Sequence, residues 1–414
     1  MRAARNLLFV FLVLETFCVT YALKFPALVS LATILYTMSG FAIAILLLYM
    51  PERKINLKYI PDAKTPVWMY QLFLLLFLGI FILSCTQQWI QQSPLTYRDA
   101  DMIPIMQVMA ERFLAGNWSG VYDPVQEIWN GIQPIYLPAM WMPFLVTVKS
   151  ELDPRWVTSF AVFLSFTMFI ALWRIHWQKM SAILLLGIAG MLCYWLYTDH
   201  THNFIRLSEE GIVVFYYSLL VLAILSENFL LMGIAAALCA LSRYTIAGWL
   251  PAMMLYLLLI RKQKRDTLRF VCSFASVVVL LVLLPFGVKP LQIAFEQPGQ
   301  YIQHAVRIWN ESPQYFTQSM GLAKFFGPDH IVLQHTILLY ASFLLPLLCV
   351  LGIRYLPKQC TYNNNIALAL LKLTLVIVYS LIDVPYQYLF YTSSFVSLLA
   401  VVWVTGKGKA SNEN

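Results

Sequence analysis

The chain has 414 residues and a formal net charge of +8; 60% of the residues are hydrophobic, 15% aromatic and only 12% charged. Soluble domains carry roughly a quarter charged residues, so this composition excludes an ordinary water-solvated fold. It indicates an all-α polytopic membrane protein, because the long apolar runs, such as Pro66 to Ile90 and Phe270 to Phe286, are apolar on every face instead of alternating as barrel strands would. Nucleic acid is not indicated: in such a chain the basic excess is a signal of orientation.

The first segment, Met1 to Ala22, starts basic as a signal peptide does, but Glu15 interrupts its apolar stretch, and an uncleaved first helix is expected. Twelve spans are expected, at about 7–23, 27–49, 67–88, 156–173, 180–198, 211–225, 229–242, 246–260, 270–286, 331–353, 366–382 and 386–405. With both termini cytoplasmic, every short basic loop lands inside, and seventeen of the twenty-eight Lys and Arg residues with them: Arg2, Arg5, Arg53, Lys54, Lys58, Lys64, Arg174, Lys179, Arg261, Lys262, Lys264, Arg265, Arg269, Arg354, Lys358, Lys407 and Lys409. Fourteen of the twenty acids fall outside. That asymmetry fits an outer face with work to do, and fits solvated loops equally. No soluble domain boundary or internal repeat interrupts residues 1–414, which read as one membrane domain.

Two outer loops are long, residues 89–155 and 287–330. The first is too long for a connector and too apolar for disorder. Within it Asp101 to Leu114 reads as an amphipathic helix ended by Gly116, with Ile105, Val108, Met109 and Phe113 on one face. Ile135 to Val148, with Pro138 and Pro143, is shorter than a span and is expected to lie in or dip into the membrane interface. The cysteines have no CxxC spacing and read as small packing residues, without a disulfide framework or a zinc site.

Chemistry concentrates where the third span ends, in Tyr97-Arg98-Asp99-Ala100-Asp101. Two carboxylates two apart can bind a divalent cation, or one can act as a general base tuned by the other; an N-capping or solvated pair is the plain alternative. In a helix such positions point about 200° apart, so one alone would face a substrate.

The run from Asp101 to Trp118, followed by Val121-Tyr122-Asp123, Ile135-Tyr136-Leu137-Pro138 and Pro143-Phe144, resembles the first outer loop of GT-C glycosyltransferases, closest to their polyprenol-phosphate-mannose-dependent group. The family's Tyr-Pro-Pro is Tyr136-Leu137-Pro138 here, with no lysine to hold a lipid phosphate. The resemblance implies a GT-C-like fold with interfacial helices in the first loop. It also implies transfer of a sugar from a polyprenyl-phosphate-linked donor to a glycan or lipid acceptor hydroxyl, with a base near the acceptor and cations around the leaving phosphate. Asp101 matches the family's catalytic aspartate; Asp99 assists, binds a metal or does nothing.

The other outer junctions are expected to supply the remaining groups. In Asp199-His200-Thr201-His202-Asn203-Phe204-Ile205-Arg206-Leu207-Ser208-Glu209-Glu210, Arg206 can clamp a phosphate and Glu209 or Glu210 a sugar hydroxyl; His200 and His202 lack a third placed ligand for a metal. Arg243 is an expensive cation at a span junction, satisfied by a lipid phosphate or by a structural partner, Glu209 or Asp383. His304 and Arg307, three apart on one helical face, are further candidates for acceptor or sugar and for phosphate, and Tyr136 joins the sugar- or acceptor-binding set. Glu15 and Lys372, both within spans, are assigned a structural pair or a lipid groove. The rival functions are a transporter or flippase for a lipid-linked saccharide and a non-catalytic partner in a cell-envelope complex.

Overall fold

The computed structural model describes residues 2–50, 67–173, 176, 180–199, 204–353, 355 and 365–406. In chain order, α1 (Arg2–Thr20), α2 (Pro26–Leu48) and α3 (Val67–Gln92) precede α4 (Met102–Leu114) in the first long loop. Six helices follow, α5 (Arg155–Trp173), α6 (Met180–Thr198), α7 (Glu210–Leu225), α8 (Phe229–Ala240), α9 (Tyr244–Arg261) and α10 (Lys264–Phe286). They lead to α11 (Lys289–Glu311) in the second long loop, then α12 (Pro328–Ile353), α13 (Asn365–Leu381) and α14 (Gln387–Thr405).

Nine of the described helices are long and apolar enough to cross a membrane, making this a multi-pass membrane protein. The twelve expected spans all fall on helices, but α7, α8 and α13 have only 16, 12 and 17 residues. At 1.5 Å per residue they fall short of a hydrocarbon core about 30 Å thick. Asn228 sets the start of α8 by accepting the Leu231 N–H at 3.1 Å. Of the inner-loop cations, Arg53, Lys54, Lys58, Lys64, Arg174, Lys179, Arg354, Lys358, Lys407 and Lys409 lie outside the described residues.

Burial divides the bundle. α3, α10 and α12 have 11%, 17% and 22% of their apolar windows enclosed, as lipid-facing helices should, whereas α14 is 94% enclosed. The interior position of α14 explains how it carries Thr392, Ser393, Ser394 and Ser397. Ser394 and Ser397 donate to carbonyls of their own helix, and Ser397 also donates to Glu15 at 2.8 Å. Lys372 of α13 meets Glu15 of α1 at 2.6 Å with neither side chain exposed, and donates to Ser393 Oγ at 2.6 Å. The two intramembrane charges pair with each other, as their positions in the sequence allowed.

Glycine sets the closest helix approaches. At Gly248 of α9 an added Cβ would overlap the Ser342 carbonyl of α12, and at Gly233 of α8 it would overlap the Phe270 carbonyl of α10. Gly248→Ala is therefore expected to destabilise the bundle by about 1–3 kcal/mol. Gly187→Ala in α6, where nothing lies within 4 Å, should be neutral or stabilising. Thermal unfolding of the two variants in nanodiscs checks this; equal melting points would contradict the packing.

Both long loops fold. α4 ends at Gly116 with φ +79, and Arg112 turns the following chain back by donating to the carbonyls of Gly120, Asp123 and Pro124 at 3.1, 2.5 and 3.1 Å. The segment expected at the interface folds as a broken helix, Pro138–Trp141 and then Leu145–Lys149. Ala139, Met140, Trp141 and Phe144 are buried in the protein, because the prolines break the rod into turns that pack beneath α4. In the second loop α11 runs for 23 residues through Pro298; Lys289 pairs with Asp123 at 2.8 Å and Gln297 donates to the Ile135 carbonyl at 3.0 Å. These bonds draw the two loops together at one end of the bundle.

Candidate functional site

Asp101 stands at the entrance of α4 but does not cap it. Its Oδ2 instead accepts the indole N–H of Trp129 at 3.0 Å. A turn closed between Val125 and Ile132, with Trp129 and Asn130 at positive φ, brings that indole back to the helix start. Burial pushes the Asp101 carboxyl above the ordinary aspartate range, and the Trp129 hydrogen bond and the Arg307 charge only partly oppose it. Asp99 points elsewhere: it accepts from Thr96 at 3.0 Å and lies 3.5 Å from Arg206. The aspartates thus divide, one turned inward and one toward solvent; Asp99 sits in the turn before the helix, so this follows from their separate partners and not from helical spacing.

A second group sits where α7 and α9 begin. Arg243 donates through Nε to Glu210 at 2.8 Å and through a terminal nitrogen to Glu209 at 2.7 Å, with both carboxylates fully buried. Thr392 of α14 donates to the other Glu210 oxygen at 2.6 Å. The second Glu209 oxygen is buried with no hydrogen-bond partner. Burial raises the Glu209 pKa more than Arg243 lowers it, and the charge of Asp101 adds to the rise. Of the two readings of Arg243, the structure shows the carboxylate pairing, with Glu209 and also Glu210, while Asp383 pairs with His335. A desolvated guanidinium takes the nearest bidentate acid partners.

Phenols join the two groups. Tyr136 feels the charges of both Glu209 and Asp101, and Tyr301 those of Arg243 and Glu209. The rings of Tyr386 and Tyr388 stack at 5.8 Å, and the Tyr388 hydroxyl donates to Met102 sulfur at 3.2 Å. His304 and Arg307 share one face of α11, as their spacing implied. Arg307 donates to His304 Nδ1 at 3.1 Å, so Nε2 carries the proton toward the Tyr386 hydroxyl at 3.3 Å. Burial and the Arg307 charge lower the His304 pKa, which favours this neutral form.

Asp101, Tyr136, Glu209, Glu210, Arg243, His304 and Arg307 therefore share one neighbourhood. Asp99 and Arg206 form its margin, and His200 and His202 lie outside the described residues. Among the described residues, no three His, Cys, Asp or Glu side chains gather as metal ligands would. Sequence reasoning missed Trp129, Tyr301, Tyr386, Tyr388 and Thr392. For the four aromatic residues the only signal is aromatic density, which membrane interfaces produce without any ligand, and Thr392 carries no signal at all.

No family model, curated protein or solved structure matches this chain. The functional reading rests on the chemistry of these side chains. Trp129→Phe is a direct probe of it: losing the indole donor removes a stabiliser of the Asp101 carboxylate, so its pKa should rise further. Any activity that needs this carboxylate ionised should then fall off at higher pH than in the wild type; an unmoved profile would place Asp101 outside the chemistry.

Proposed function

We propose that this protein is a GT-C-like glycosyltransferase of the cell inner (plasma) membrane. It transfers a sugar, with mannose as the first candidate, from a polyprenyl-phosphate carrier to a hydroxyl of an extracytoplasmic glycan or lipid acceptor in cell-envelope synthesis, with inversion. The observation that carries the reading is Asp101: a half-buried carboxyl of raised pKa, free of capping duty, held by one indole among tyrosines. In the reaction the acceptor oxygen attacks the anomeric carbon, the bond to the carrier phosphate breaks with its electron pair, and Asp101 takes the acceptor proton. A raised pKa makes it a stronger base than an exposed aspartate. Arg307, exposed and bonded only to neutral His304, is the cation best placed to meet the leaving phosphate, with Arg206 as the second. The tyrosines supply faces and hydroxyls suited to a sugar.

One observation favours a second reading, a flippase for a lipid-linked saccharide: the buried Glu15–Lys372 pair, since ionisable groups inside spans often line transport paths. Every charged atom of that pair is satisfied by its neighbours, which favours a structural role. The deciding experiment incubates membranes holding equal amounts of wild type or Asp101→Asn with radiolabelled polyprenyl-phosphate sugars. Transfer by the wild type alone supports the enzyme, equal transfer by both rejects Asp101 as base, and lipid translocation without transfer supports the flippase.

A further inference from the structure

Within electrostatic reach of Tyr301 lies a second polar cluster with no part in the chemistry above. His335, in the second turn of α12, bonds through Nδ1 to Asp383 Oδ2 at 2.7 Å, and both side chains are more than nine-tenths buried. Gln334 donates its amide to the carbonyls of Leu381 and Ile382 at 3.0 and 2.9 Å. Asp383 is close enough to Tyr301 to bear on its ionisation, and Tyr301 in turn feels Arg243 and Glu209.

Three atoms of this cluster are buried without a partner: His335 Nε2, Asp383 Oδ1 and Gln334 Oε1. Their character follows from the bonds already made. A carboxylate oxygen only accepts, so Nδ1 of His335 carries the proton of this bond, and Nε2 is the ring position left without a partner among the described residues. Two carbonyls hold the Gln334 NH2 group, so the free Gln334 atom is its oxygen. The cluster therefore has two unsatisfied acceptors, Asp383 Oδ1 and Gln334 Oε1, beside an unfilled imidazole nitrogen. Buried acceptors in this state are costly until a donor arrives. Phosphate brings oxygens and cannot answer them; a polyhydroxylated ligand brings hydroxyl protons.

We propose that His335, oriented by Asp383 and flanked by Gln334, is a hydroxyl-binding subsite that holds the acceptor glycan next to the Asp101 centre. This rests on the glycosyltransferase reading for the word acceptor, and on the orphaned acceptors alone for the binding of a sugar. His335 is a positioning residue: it fixes a hydroxyl remote from the reacting oxygen.

The test is 15N NMR of the full chain in nanodiscs with labelled histidine, where His335→Gln assigns one resonance among the six histidines. The expected spectrum has Nδ1 protonated, as its bond to Asp383 requires. Methyl mannoside, glucoside and galactoside are titrated in turn, then magnesium chloride as a separate arm. A saturable shift of Nε2 with one glycoside, weakened about tenfold in Asp383→Asn, supports the subsite. No shift with any glycoside overturns it and leaves the dyad as a pin for the 382–386 loop; a shift with magnesium alone overturns it in favour of a cation. Where sugar transfer is measurable, His335→Gln should raise the acceptor KM about tenfold with kcat nearly unchanged. Glycoside binding without Asp101-dependent transfer keeps the subsite and rejects the enzyme; Asp101-dependent transfer with a silent Nε2 does the reverse.

Discussion

Asp101→Asn is expected to reduce sugar transfer by about 10²–10⁴-fold, the usual worth of a positioned general base, while leaving the fold intact. Stability separates loss of chemistry from loss of structure. The folded pKa of Asp101 lies above its ordinary value because burial penalises the charge. Such a group contributes stability that is present at low pH and lost as pH rises through the folded pKa. At neutral pH the ionised carboxyl is thus a small liability, and the asparagine variant should melt at or slightly above the wild-type temperature. In the wild type the acid limb of kcat/KM should lie above the ordinary aspartate range near 3.9, because activity disappears as the carboxyl gains its proton. Melting curves and a pH profile on the same preparation check both parts. A variant that is inactive but melts well below the wild type would assign Asp101 to structure.

Lys372→Met should be the most damaging single replacement in the membrane interior. It leaves the Glu15 carboxylate with only the hydroxyls of Ser393, Ser394 and Ser397, at zero exposure. Removing one partner of a buried pair costs about 3–5 kcal/mol, because the other charge is stranded. The paired replacement Glu15→Gln with Lys372→Met strands nothing and should recover most of the loss. Unfolding followed by tryptophan fluorescence in nanodiscs reads the comparison. If Lys372→Met does not move the transition while saccharide translocation stops, the pair belongs to a transport path and the flippase reading gains.

The helices of the bundle were legible because lipid imposes one rule on every residue, and a run apolar on all faces has few ways to satisfy it. The folded state of loop 89–155 followed from its apolar content, and the start of α4 from Asp101. The partners of Arg243 were half legible: Glu209 stood among the candidates, and its neighbour Glu210 completed the pair. Other parts were hidden for physical reasons. Trp129 reaches Asp101 only because two residues take positive φ in a turn that no glycine marks at those positions. Thr392 binds Glu210 across 182 positions of sequence, and no local pattern encodes such a meeting. The 23 residues of α11 read as loop because Pro298 and scattered polar groups mask a helix.

The enclosure of α14 bears on how the chain is made. This helix leaves the ribosome after every other described one, yet it is the most surrounded by protein. The earlier helices must therefore hold open, within the membrane, a slot that they cannot fill. Glu15, Lys372 and Glu210 all wait there for its hydroxyls. Until α14 arrives Glu15 and Lys372, and Glu210 and Arg243, have each other but lack the hydroxyls that complete them, so the unfinished bundle is the form in which these ion pairs are least enclosed. Insertion of α14 brings Thr392 onto Glu210 and its serines onto the Glu15–Lys372 pair in one event, which ties maturation of the site to the arrival of this one helix.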